Sequence, residues 1–149
     1  MAQFRAHVTD LTTIPGIEPL AAHAAGDALG TTITFTGVPI FGIIQSAMLL
    51  DKDDDNIAID LIIHNASFTE TADDSAYAVS DSDNESIIDV VEFGVFVDLV
   101  TSRVAFGRGR GHLYSAPAGT LYCQAITRGA SNISATATMP MVQLSIIAV

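Results

Sequence analysis

No carboxylate follows Asp98, tryptophan is missing altogether, and lysine and cysteine occur once each, as Lys52 and Cys123. One cysteine cannot close an internal disulfide, so packing and hydrogen bonds must hold the fold. Cys123 sits in Leu121-Tyr122-Cys123-Gln124-Ala125-Ile126, which alternates like a strand. A buried structural thiol is therefore expected, as is synthesis in a reducing cytoplasm. No apolar run approaches the roughly 20 residues of a membrane-spanning helix, so no membrane partner is expected. Residues 1–15 lack a basic stretch leading into an apolar one, so no secretory leader is expected either. Six basic side chains stand against 17 acidic ones, and a net charge of −11 argues against general nucleic-acid binding, which needs a basic face.

What is present is apolar. Hydrophobic residues make up 49% of the 149 and charged residues only 15%, in a chain of one-domain length. A small domain has much surface to cover with polar groups. The excess points to surface buried against partners in an obligate oligomer or assembly. The charges are also segregated along the chain. Residues 51–98 carry fourteen acids and one base, a net of −13, whereas residues 99–149 carry four arginines and no acid, a net of +4. Two readings fit: opposite patches that set register between docked molecules, or an acidic loop region that precedes a neutral β region.

Val, Ile, Thr, Phe and Tyr dominate the ordered-looking stretches, and Gly, Asp, Asn, Ser and Pro punctuate them. Strands are expected near Gln3–Val8, Thr31–Phe35, Gly42–Leu50, Ile57–His64, Val95–Thr101, Val104–Gly107, Thr120–Arg128 and Met141–Val149. A short strand can be drawn at Tyr77–Val79 and a helical turn at Asn84–Ile88. Pro19–Ala28 is the one candidate for a longer helix, and no helix is expected there. Asp51–Asn56 reads as a solvated hairpin connection and residues 65–86 as a polar loop. About eight or nine short strands predict an all-β, antiparallel β-sandwich of jelly-roll-like type. Residues 1–20, interrupted by Pro15, Gly16 and Pro19, read as an extended N-terminal arm, and 21–149 as a single sandwich domain. Alternation of Val142, Leu144 and Ile146 with Gln143 and Ser145 places the last strand in the chain's own core.

Motifs for chemistry are sparse. Asp51-x-Asp53-x-Asp55 begins like a calcium loop but has Asn56 at the glycine position and Ile62 in place of the bidentate acid. Asp81-x-Asp83-x-Glu85, followed by Asp89 and Glu92, matches better, yet has Ser86 where a sharp turn needs glycine. A solvated acidic loop is the expectation. His7, His23, His64 and His112 lack metal-site spacing, so neither a metal nor another cofactor is predicted. There is no Gly-x-Ser-x-Gly elbow, phosphate loop or dinucleotide fingerprint, and a Cys123–His112 pair has no oxyanion-forming motif beside it. No enzymatic activity is expected. Gly107-Arg108-Gly109-Arg110-Gly111 has two readings: bidentate contacts to carboxylates of a neighbouring copy, or a plain hairpin turn with exposed arginines.

Several short patterns resemble the head decoration, or cement, proteins of tailed bacteriophages. They are Gly26-Asp27-Ala28-Leu29-Gly30-Thr31, Leu49-Leu50-Asp51, Ile57 through Ile63, Ala78 through Asp83, Ile87-Ile88-Asp89-Val90-Val91, Leu121-Tyr122 and Thr127-Arg128-Gly129. The resemblance implies a structural virion protein that assembles, commonly as a homotrimer, on the outer surface of a capsid and stabilises it by binding the major capsid protein. Partner-binding residues are then expected in the arm (Phe4, Arg5, His7) and at an interface (Arg103, Arg108, Arg110). Two alternatives are a tail- or fibre-associated sandwich protein and a carbohydrate-binding module. The second is a poor match for a chain without Trp and with three Tyr.

Overall fold

The chain winds between two antiparallel sheets. The computed structural model describes residues 4–53, 57–131, 133 and 138–149. The larger sheet has the order β1 (Arg5–Val8), β11 (Met141–Ala148), β4 (Phe41–Asp51), β8 (Arg103–Arg108) and β7 (Phe96–Asp98). Two short strands join it, β2 (Thr12–Thr13) on β11 and β9 (Leu113–Ser115) on β4. The smaller sheet has the order β3 (Ala28–Thr36), β10 (Thr120–Thr127), β5 (Ile59–His64) and β6 (Ile87–Phe93). With β1-β11-β4-β8 facing β3-β10-β5-β6, and the chain changing sheets at most connections, the winding is that of a jelly roll. The expected all-β antiparallel sandwich is therefore the observed fold.

Strand periodicity explains which side chains fill the space between the sheets. Val142, Leu144 and Ile146 of β11 are 0–1% exposed, and Ile44, Ala47 and Leu49 of β4 turn the same way. Opposite them lie Ile33 and Phe35 of β3, Leu61 and Ile63 of β5, Val91 and Phe93 of β6, and Leu121, Cys123 and Ala125 of β10. Cys123 is fully buried, and burial pushes its thiol far above its ordinary pKa.

The segment read as an arm is, in its described part, built into this body. β1 pairs with β11 along its length, from Arg5 opposite Ala148 to Val8 opposite Ser145. Ile14 and Ile17 are 0% and 3% exposed within the core. A strap binds the same stretch to β3: Thr31 N–H donates to the Pro15 carbonyl at 2.7 Å. Gly30 makes that approach possible, since it sits at φ +71° and a Cβ there would lie 2.3 Å from the Pro15 oxygen.

Pro19–Ala28 contains turns and the isolated bridges His23↔Ser131 and Asp27↔Ala76, with no helix, as expected. Two other local expectations differ. The single described helical turn is α1 (Asp81–Asn84), where the Ser80 hydroxyl accepts from Asp83 N–H at 3.1 Å. Chain beyond it, where a turn reaching Ile88 was expected, enters β6. Tyr77–Val79 is not a strand. Gln3 of the first expected strand, and Asp54–Asn56 of the Asp-rich connection, lie outside the described residues.

Residues 65–86 fold back as a roof over the outer face of the smaller sheet. Gln124 of β10 fixes the roof by donating to the carbonyls of Thr71 (2.6 Å) and Gly30 (3.1 Å) and accepting from Thr71 N–H (3.1 Å). Asp73 accepts from Gly30 N–H at 2.6 Å and Glu18 N–H at 2.9 Å, and pairs with His23 Nε2 at 2.8 Å. His64 stacks on Phe68 with ring centroids 4.0 Å apart and shares a 2.7 Å hydrogen bond between Nδ1 and the Ser86 hydroxyl. Burial lowers its pKa below the ordinary value, more than the nearby Asp83 raises it. Much of the acid-rich middle of the sequence is thus spent closing one side of the sandwich.

Candidate interaction surface

Among the described residues, no loop covers the outer face of the larger sheet in this way. The outward residues of that sheet alternate with the buried ones, and the strand register places them in cross-strand rows. Val97, Val104, Leu50, Met141 and Thr13 form one row. Phe106, Met48 and Gln143 form the next, and Arg108, Ser46, Ser145 and Val8 a third. Leu113, Ile43, Ile147 and Ala6 make a fourth. Phe106 is 68% exposed, Leu113 63% and Val8 55%. Arg108 is the one charge in these rows, and no carboxylate occurs in them. A face of five strands about 4.8 Å apart and several residues long covers roughly 500–600 Å² in projection. The exposed apolar share of that face is smaller, because five of its sixteen residues are polar and Ile43, Met48, Leu50, Met141 and Ile147 are half-buried.

A bulge interrupts the face. The register between β4 and β11 shifts between Ser145 and Ile146, leaving Gln45 as an extra residue on β4. Gly109 N–H donates to the Gln45 carbonyl at 3.1 Å. Gln45, Ser46, Arg108 and Gly109 line an open groove there, so the single cation of the face sits beside a polar notch.

Beneath the notch, the Gly-Arg-Gly-Arg-Gly turn is anchored rather than loose. Asp89 points inward from β6 at 4% exposure and accepts from Arg110 N–H at 3.0 and 3.2 Å and from Val90 N–H at 2.7 Å. Burial raises its carboxyl above the ordinary range despite these donors and the nearby Arg110 and His112. Gly109 permits the approach, because a Cβ there would fall 2.0 Å from the Ile44 carbonyl oxygen and 2.8 Å from Asp89 Oδ2.

The six residues singled out from sequence separate in space. Arg108 lies on the apolar face and makes no ion pair among the described residues. Arg110 Nη2 donates to Glu92 Oε1 at 2.7 Å, and Arg103 Nη2 stands 4.0 Å from Asp98 Oδ2, so both have acidic neighbours in their own chain. Arg128 likewise pairs with Asp60. Three of the four arginines that follow Asp98 therefore have acidic neighbours within their own chain. Phe4 is 70% exposed just before β1. Arg5 and His7 take the opposite parity to Ala6 and Val8, at the sheet's edge.

The outer face itself was not singled out from sequence, although a signal for it exists. Ile43-Ile44 through Ala47-Met48-Leu49-Leu50 and the last residues of β11 are near-continuous apolar runs instead of clean alternations, the pattern of strands covered on both faces. Among the described residues no group of three or more His, Cys, Asp or Glu side chains is placed to hold a metal ion. Asp83 of the sequence's better calcium-like run instead accepts from Thr69 N–H at 3.2 Å. Comparison of the chain with family models, with curated proteins and with solved structures finds no match.

Proposed function

We propose that this chain is a structural virion protein that acts by docking: a decoration protein that binds the outer surface of a tailed-phage capsid through the major capsid protein, assembles as a trimer, and stabilises the shell. The observation that carries the reading is the unequal treatment of the two sheets. One outer face is closed by the chain's own acidic loop, while the other, among the described residues, presents three largely apolar rows and one polar row that holds a single cation. A soluble protein gains from such a face when another surface covers it, since about 25 cal/mol is released per Å² of apolar area removed from water. The resemblance noted in the sequence supplies the choice of a phage shell as the larger partner.

The test is to add the purified chain to phage heads, separate bound from free by sedimentation, and locate bound copies by electron cryomicroscopy. The reading expects saturable binding at regular positions on the head and raised resistance of loaded heads to heat or chelation. Binding confined to tails would move the protein to the tail-associated class, and absence of binding to particles would overturn the proposal.

A further inference from the structure

We infer that residues 65–86 are a proton-released cover: a proton taken up by the ring of His64 lifts this roof from the outer face of the smaller sheet. The device belongs to the roofed side of the sandwich and needs nothing from the other face. Hydrogen bonding fixes the resting state of the ring. The Ser86 hydroxyl has one proton and donates it to the Asp83 carbonyl at 2.7 Å, so its oxygen accepts from His64 Nδ1–H at 2.7 Å. Neutral His64 therefore carries its proton on Nδ1 and leaves Nε2 as a bare acceptor. That nitrogen is buried and has no partner among the described residues. A second proton must go on Nε2, where it meets no acceptor, in a residue 0% exposed and stacked on Phe68. A buried charged donor without a partner is strongly disfavoured, and water supplies the partner once the roof lifts. Ile62, on the same face and opposite Gln124 in register, is 6% exposed, so lifting the roof bares an apolar side chain as well.

The neighbouring charges do not offset this. Asp83 of α1 favours the charged ring, but its carboxylate already accepts from Thr69 N–H, and burial outweighs it. Asp60, on the same face of β5, is held by Arg128. Asp89 of β6 pairs with Ile63 and points into the core. Glu85, beside Ser86, is exposed, and Tyr122 of β10, opposite His64 in register, is a phenol. Farther along the roof, Glu70 accepts from Thr32 N–H and Asp73 pairs with His23. Because the closed roof excludes the charged ring, its hold is complete above the ordinary histidine value of 6.5 and weakens as pH falls below it. One proton per opening raises the open population by about tenfold per pH unit, until pH passes the lower value of the covered ring.

Native-state hydrogen exchange of the full chain, followed by NMR from about pH 7.5 to about pH 5 and corrected for intrinsic rates, tests this. The roof amides of Asn65, Thr71 and Ala78 should be less protected than the amides of β4 and β11 at every pH. Their protection should be flat above pH 6.5 and fall by about tenfold per pH unit below it. His64→Gln and His64→Leu, which take up no proton, should give flat profiles. Unchanged roof protection across the wild-type series would overturn the inference. So would the same fall in both variants, which would assign the proton to another group such as Asp73 or Glu70. Equal protection of roof and core at every pH would overturn it too, because the roof would then open only when the whole domain unfolds. If circular dichroism shows that neither variant folds, the wild-type profile still decides: a fall that begins near 6.5 supports the cover, and one confined below about pH 5, in the carboxylate range, overturns it.

Discussion

Replacing Gln124 with leucine separates the roof from the rest of the fold. Gln124 is completely buried, and its amide makes three hydrogen bonds, two to Thr71 and one to Gly30. Leucine retains most of the volume and none of the partners. At about 1 kcal/mol net per lost hydrogen bond the variant should be less stable by about 3 kcal/mol. In a domain of this size, each kcal/mol lowers the melting temperature by about 2–4 °C, so the expected drop is about 6–12 °C. The loss should be local. Hydrogen exchange should accelerate at Thr71 and Ala78, whose amides bond to Gln124 and to the Thr71 hydroxyl, before it does in β4 and β11. A melting-temperature change under about 2 °C, or acceleration spread evenly over both sheets, would refute the idea that one buried amide holds the roof.

Burial holds the Asp89 carboxyl above its ordinary range, so folding favours its protonated form. Its stabilising contribution is present below the ordinary aspartate value of about 3.9 and lost as pH rises through the higher folded-state value. The stability of wild type relative to Asp89→Asn, from urea melts, should therefore fall with rising pH, and a constant difference would contradict this. His64 is shifted the other way: its contribution is present above the ordinary value of 6.5 and lost as pH falls through the lower folded-state value. Its NMR titration midpoint should lie below 6.5, and a midpoint at or above that value would count against its burial beneath the roof. Cys123 should react with an aromatic disulfide only on unfolding, at a rate that rises with denaturant, and rapid labelling of the native protein would show that the core is open there.

Much of the fold could be read from the residues. β4, β10 and β11 announce themselves through Val, Ile, Leu and Phe at strand spacing, and the polar stretch 65–86 reads as a loop because it lacks that spacing. β6 was obscured because Asp89 occupies an inward position where an apolar residue would complete the alternation, and its reason for being there is the Arg110 amide far along the chain. The arm was misplaced for a related cause. Pro15 and Gly16 look like linker residues, but the Pro15 carbonyl is the acceptor that straps the segment to Thr31, a pairing that exists only after folding. Charge was the least legible feature. Arg110 with Glu92 and Arg128 with Asp60 meet across the fold, which leaves Arg108 as the arginine with a face of its own. The apolar runs of β4 and β11 hint at cover on both sides, but which residues share that face required the register of five strands.

Hydroxyl-radical footprinting across a dilution series, with molecular mass measured on the same samples, tests the central claim most directly. If the outer face of the larger sheet is an interface, Met48, Met141 and Phe106 should be protected several-fold in the assembled protein relative to the dilute chain, while Tyr122 on the other sheet is unchanged. Equal oxidation of those three side chains at every concentration, and in the presence of phage heads, would contradict the account.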